Sequence, residues 1–305
     1  MMGDSVMGLE TAMLKTIALF DAMDYPPTET EVLAWGEFGS KPTVKEFEEA
    51  KRGLVSSGVV EEGFGRLTLR GRLAALATLV HDRTPLFPRK VRTARKVAKW
   101  LARNPNVRFV ALANTAALAH SRDAGDLDFF VIVRHGSIWS TRLLGGAPYR
   151  LTGRLSGPNE KRDAVCLSYF VSDRSLDLSG HMLTHGDDPY FRYWFLALLP
   201  LYDDGVSREL WDANRAITSR HPLAEPWMVS HDLRVRRPAA RIPGVPRLES
   251  LARTFQMRWF PPSIRERIGT GTDVIVSDDA LKFHVDDGRL AYRDATHQRL
   301  NDLGL

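Results

Sequence analysis

The chain is expected to fold as an α+β protein, with a small mixed β-sheet flanked by helices. Three observations carry this expectation. The runs Phe109–Ala113, Leu127–Val133 and Ala164–Val171 are short, β-branched or aromatic, and bounded by turn residues, which is the pattern of buried strands. Segments before and after them place apolar residues at helical steps of three and four. The 305 residues are 44% apolar and 26% charged, an ordinary globular composition on a chain long enough for a well-buried core. We divide it into an N-terminal module over 1–82, a basic connecting helix over 83–104, a sheet-bearing core over 105–180 and a mostly helical C-terminal region over 181–305.

Residues 9–23 have helical spacing, and Tyr25-Pro26-Pro27 ends that helix. Thr28 caps a second helix through Trp35, and Thr43 with Glu46 forms a capping box for a third through Ser57. Val59–Glu61 and Arg66–Leu69 then read as a hairpin across Glu62–Gly65. Three helices and a hairpin follow the winged-helix plan. On a DNA-binding reading, Thr43–Ser57 is the recognition helix, with Arg66 and Arg70 near the wing. The third helix balances Glu46, Glu48 and Glu49 against Lys45, Lys51 and Arg52, which favours a packing or protein-contact role instead.

Residues 83–103 hold eight Lys or Arg and no acid. Arg89, Arg92, Lys96, Lys99 and Arg103 recur at helical steps, with Val91, Ala94, Ala98 and Leu101 opposite. This is either a solvated face or one turned toward phosphates. Ser137–Leu144 reads as a short helix whose Arg142 is a candidate phosphate contact, and equally a surface arginine. Residues 188–217 read as two helices around Pro200, and 221–246 as a Pro- and Arg-rich loop that includes Arg241, Pro243 and Pro246. Leu248–Trp259, Ser277–His284 and Arg289–Leu303 read as further helices, with a short apolar run at Val274–Val276.

One cysteine, Cys166, excludes an intramolecular disulfide and reads as a small core residue. The N-terminus lacks the basic region of a signal peptide, and the longest apolar stretch is too short to span a bilayer, so a cytoplasmic protein with no membrane partner is expected. The net charge of +5 suits a phosphate-bearing ligand or nucleic acid.

The stretch that carries chemistry is Arg108–Arg134. In a strand, Asp126 and Asp128 project from one face, their Cα atoms roughly 6–7 Å apart. Two carboxylates this close repel, and a hard cation such as Mg²⁺ relieves the repulsion and usually arrives with phosphates. Asn114-Thr115 follows the first strand, Thr115 standing eleven residues before Asp126. With Ala117, Asp123 and Gly125 through Asp128, this stretch resembles the DNA polymerase β-like nucleotidyltransferase superfamily over roughly residues 105–175. More narrowly, the chain resembles a bacterial group of nucleotidyltransferase-like proteins with a winged-helix-like N-terminus. That likeness rests on Asp24-Tyr25-Pro26, Trp139–Arg142, Cys166–Phe170, Asp188-Pro189-Tyr190 and Lys282-Phe283-His284.

The resemblance implies a Mg²⁺- or Mn²⁺-dependent transfer of a nucleoside monophosphate from an NTP to a hydroxyl, on a nucleic acid, a protein or another acceptor. It implies that Asp126 and Asp128 hold the metal and that Asn114 and Thr115, in the place of the family's Gly-Ser pair, position the phosphates. The family's third carboxylate falls in the third strand, where this chain has Leu167-Ser168-Tyr169. Asp163, just before that strand, is the candidate general base. Two other readings stand beside it: a DNA-binding regulator with a nucleotide-sensing core, and a catalytically silent scaffold.

Overall fold

Both capping boxes form in the computed structural model, which describes residues 2–157, 161–240 and 248–305. The Thr28 hydroxyl accepts from Glu31 N at 3.1 Å and the Glu31 carboxylate accepts from Thr28 N at 2.7 Å; Thr43 and Glu46 repeat the arrangement. The N-terminal unit is α1 (Met2–Ala22), α2 (Glu29–Trp35), α3 (Val44–Ser56) and an antiparallel hairpin, β1 (Val60–Gly63) with β2 (Arg66–Leu69). Met13, Ile17, Val32, Phe47, Leu54 and Leu67 close its core. A helix α4 (Leu73–Arg83), for which the sequence carried no expectation, leads to α5 (Phe87–Leu101).

Next come β3 (Val107–Leu112), α6 (Asn114–Ala117), β4 (Leu127–Val133), α7 (Ile138–Leu151) and β5 (Val165–Ser172). They are followed by α8 (Pro189–Leu196), β6 (Leu199–Asp203), α9 (Ser207–Ala213) and α10 (Arg215–Thr218). The chain closes with α11 (Glu249–Trp259), α12 (Pro262–Arg265), β7 (Val274–Val276), β8 (Ala280–Phe283) and α13 (Arg289–Asp302). The six-stranded sheet has the order β6-β3-β4-β5-β8-β7, and only β4 and β5 run parallel. It is a mixed sheet in an α+β protein, as expected.

The C-terminal region, expected to be mostly helical, carries six α-helices among its described residues and also supplies three of the six strands. Pro200 was expected to separate two helices. It lies instead in β6, an edge strand whose ladder with β3 shifts register beside this residue, and edges and bulges are where a sheet tolerates proline. Ser277–His284 was expected as a helix. The Ser277 hydroxyl instead accepts from Asp279 N and Ala280 N, closing a turn, and the following residues pair with β5 and β7. Of the Pro- and Arg-rich stretch, Arg241, Pro243 and Pro246 lie outside the described residues.

The sheet is covered on both faces. Val91, Ala94, Val97, Ala98 and Leu101 of α5, with Trp139 of α7 and Ala252 of α11, pack on one side. Phe191, Trp194 and Phe195 of α8, with Leu210 and Trp211 of α9, pack on the other. The N-terminal unit is tied to the rest by α13: Leu300 and Leu303 join its core, and Arg299 Nε donates to Asp21 at 2.6 Å. No described helix is long and apolar enough to cross a membrane.

Candidate functional site

Asp126 and Asp128 stand at the start of β4, where β4 and β5 begin side by side with Asp128 opposite Cys166. One ligand atom from each of Asp126, Asp128 and Cys166 lies within 4.8 Å of the other two, the only such group among the described residues. All three side chains are half-buried. Cys166, expected in the core, is therefore part of the site.

Burial and the neighbouring charge of Asp126 raise the Asp128 carboxyl to about 6, against the pull of hydrogen bonds from Asn114 and Cys166. None of the groups acting on Asp128 is a cation. Burial, and then the Asp128 charge, push the Cys166 thiol well above its usual range. On its own the Cys166 thiol therefore keeps its proton at neutral pH, and its Sγ donates to Ser168 Oγ at 3.2 Å. Asp126 is oriented by Ser156, whose hydroxyl donates to Oδ2 at 2.6 Å.

Asn114 has φ +54, in the left-handed region that glycine adopts freely and asparagine tolerates. This turns the chain from β3 into α6. The side chain links two elements: Tyr190 on α8 donates to its Oδ1 at 3.1 Å, and its amide reaches Asp128. Tyr190 stacks on Tyr292 of α13 with centroids 5.0 Å apart and planes at 7°. Thr115 is exposed, its hydroxyl 3.3 Å from that of Ser121.

Two of the expected site residues are engaged elsewhere. Arg142 Nε donates to Leu167 O and Nη1 to Gln256 Oε1, and its guanidinium lies 4.5 Å from the Phe283 ring centre. Burial pulls it down to about 10, and its partners stand on β5, α11 and β8. It holds these elements to α7. Asp163, with φ +54, is ion-paired to Lys90 at 2.9 Å and to Arg89 at 3.1 Å. Both of its oxygens are taken up by these two side chains of α5, so the structure provides no case for it as a base.

Lys90, one of the eight cations of residues 83–103 but outside the basic face, is 2% exposed. Its Nζ donates to Gly125 O at 2.6 Å as well as to Asp163, pinning the loop that presents Asp126. Its position two residues before the helical phase of Arg92 and Lys96 marks it as different. Ser156, Tyr190 and Tyr292 carry no comparable signal, since they converge from distant parts of the chain.

In the N-terminal unit, the cations of the DNA-binding reading are engaged to different degrees. Lys51 is buried in α3 and pairs with Glu29 at 2.7 Å and Glu48 at 3.0 Å. Arg66 donates to Pro26 O at 2.5 Å and lies 5.5 Å from the Tyr25 ring centre. Arg70 is exposed.

Compared with protein-family models, with curated proteins and with solved structures, the chain matches none of them.

Proposed function

We propose that the chain is a divalent-metal-dependent nucleotidyltransferase of the DNA polymerase β-like kind, which moves a nucleoside monophosphate from an NTP to a hydroxyl. The observation that supports this best is the carboxylate pair itself. Asp126 and Asp128 meet with ligand atoms within 4.8 Å, and Asp128 is raised to about 6 by burial and that neighbour. The donor set suits a hard ion: Mg²⁺ commonly binds through one or two carboxylates and completes its shell with water and phosphate oxygens. The Cys166 thiol stands beside the two carboxylates and hydrogen-bonds to Asp128. When bound there, the ion would neutralise phosphate charge as the P–O bond to pyrophosphate breaks.

The chain's own residues prepare that geometry. Ser156 orients Asp126, and Asn114 orients Asp128 while Tyr190 holds the Asn114 amide. Thr115, exposed on the first turn of α6, and the backbone around Asn114–Ala116 would take the role the resemblance gives the Gly-Ser pair, cradling the terminal phosphates. No side chain is assigned as the general base.

Isothermal titration with each NTP, with and without Mg²⁺, tests the proposal on wild type and on Asp126→Asn/Asp128→Asn. Mg²⁺-dependent binding that the double variant loses is the expected result. Binding that survives in the double variant, or its absence in wild type for all four nucleotides, sinks it.

A further inference from the structure

The sequence contains no Asp or Glu from residue 83 to 122, nor from 129 to 159. The fold places these two acid-free stretches against each other. Helices α5 and α7 share one face of the sheet, and Trp100 Nε1 of α5 donates to Gly145 O of α7 at 3.1 Å. The buried side of α5 is apolar apart from Lys90, and its outer side is cationic. Arg92, Lys96 and Lys99 are exposed, and Arg95 and Arg103 are half-buried beside them. Arg150 and Arg154 are exposed where α7 ends, and the charges of Arg103 and Arg154 both act on the Tyr149 hydroxyl.

These cations differ from most others in the protein. Arg89 and Lys90, one turn earlier, are neutralised by Asp123 and Asp163, and Arg192 and Arg289 are likewise spent on carboxylates. Along the outer side of α5 and the end of α7, no described carboxylate lies within ion-pair distance. The Nε atoms of Arg95 and Arg103 are buried and have no hydrogen-bond partner. Two rings sit among the charges: Trp100, with the Arg103 guanidinium 5.5 Å from its centre, and Tyr149. A helical rise of 1.5 Å per residue makes the track from Arg92 to Arg103 about 16 Å long. Its beginning lies beside the carboxylates, because Lys90 of the same helix grips Gly125, the residue before Asp126.

We propose that this face binds a single-stranded nucleic acid, whose phosphates follow the cations of α5 and whose bases stack on the rings between α5 and α7. A row of cations without counter-charges is the footprint of a phosphate backbone, and interleaved aromatic rings distinguish a strand with accessible bases from an acidic polypeptide. That the strand is also the acceptor for the carboxylate site rests on the function proposed above; that it binds does not.

The test is fluorescence anisotropy with 5′-labelled 20-nucleotide RNA and DNA of one sequence, their duplexes and a poly-glutamate chain, across a salt series. Wild type should bind the single strands with a log–log salt slope near −3, as about four phosphate contacts imply. Arg92→Glu/Lys96→Glu/Lys99→Glu should weaken binding at least tenfold and flatten the slope. Arg208→Glu, on the exposed face of α9, should change neither. Asp126→Asn/Asp128→Asn should leave strand binding intact even if it abolishes NTP binding, so the two proposals fail separately. No binding, binding that the triple variant retains, or a preference for duplex or for poly-glutamate overturns the inference.

Discussion

Replacing Lys90 with Met asks whether a buried cation holds the carboxylates in place. The side chain is 2% exposed, and its ammonium donates to Asp163 at 2.9 Å, to Gly125 O at 2.6 Å and to Asp123 O at 3.4 Å. Methionine matches the length of the stem and removes only the charge and its donors. Breaking a buried ion pair from one side typically costs 3–5 kcal/mol, because the partner stays buried and uncompensated. Here Arg89 remains on Asp163, so about 3 kcal/mol, the low end, is expected. The Gly125 carbonyl also loses its donor, which frees the loop carrying Asp126. Urea unfolding at pH 7 reads the stability loss, and titration of Mg²⁺ with NTP reads the site. We expect the loss together with weaker nucleotide binding, about tenfold. Asp163→Asn supplies the other arm of a double-mutant cycle, in which the pair should couple by about 1–3 kcal/mol. A loss under 1 kcal/mol, or normal nucleotide affinity in a clearly destabilised variant, refutes the idea that Lys90 positions the loop.

Asp128→Asn is expected to stabilise the metal-free protein at pH 7. The folded carboxyl, at about 6, holds its proton more tightly than the unfolded one, near 3.8, so its contribution to stability falls as pH rises between those values. The difference corresponds to about 3 kcal/mol at pH 7 and vanishes below pH 4, which unfolding of both proteins across that range checks. The buried histidines act in the opposite direction. Burial holds His120, His181 and His221 down at about 4 and His284 at about 3, so the unfolded chain takes up protons first as pH falls below 6.5. Stability should be full above pH 6.5 and drop steeply toward pH 4, and a flat unfolding free energy across that window contradicts this.

Local chemistry and periodicity determined much of this protein. The capping boxes at Thr28 and Thr43, the hairpin at Arg66, the strand Leu127–Val133 and the pairing of Asp126 with Asp128 are all written in residues a few positions apart. Spacing along one strand is enough to put two carboxylates on one face, and φ at Asn114 follows from what asparagine tolerates. What the sequence left open depends on partners far along the chain. Cys166 enters the site because β5 lies parallel to β4 in a register, with a bulge after Asp128, that no local pattern specifies. Lys282 and its neighbours form a strand and not a helix because β5 and β7 offer ladders on both sides. Asp163 looked available until the fold brought α5 beside it and closed it with Lys90 and Arg89. Arg142, a candidate phosphate contact by its guanidinium alone, is turned inward because Leu167 O, Gln256 and Phe283 meet there. A charged side chain advertises its chemistry in the sequence, but only the tertiary structure decides whether that charge meets a ligand or is already neutralised inside the protein.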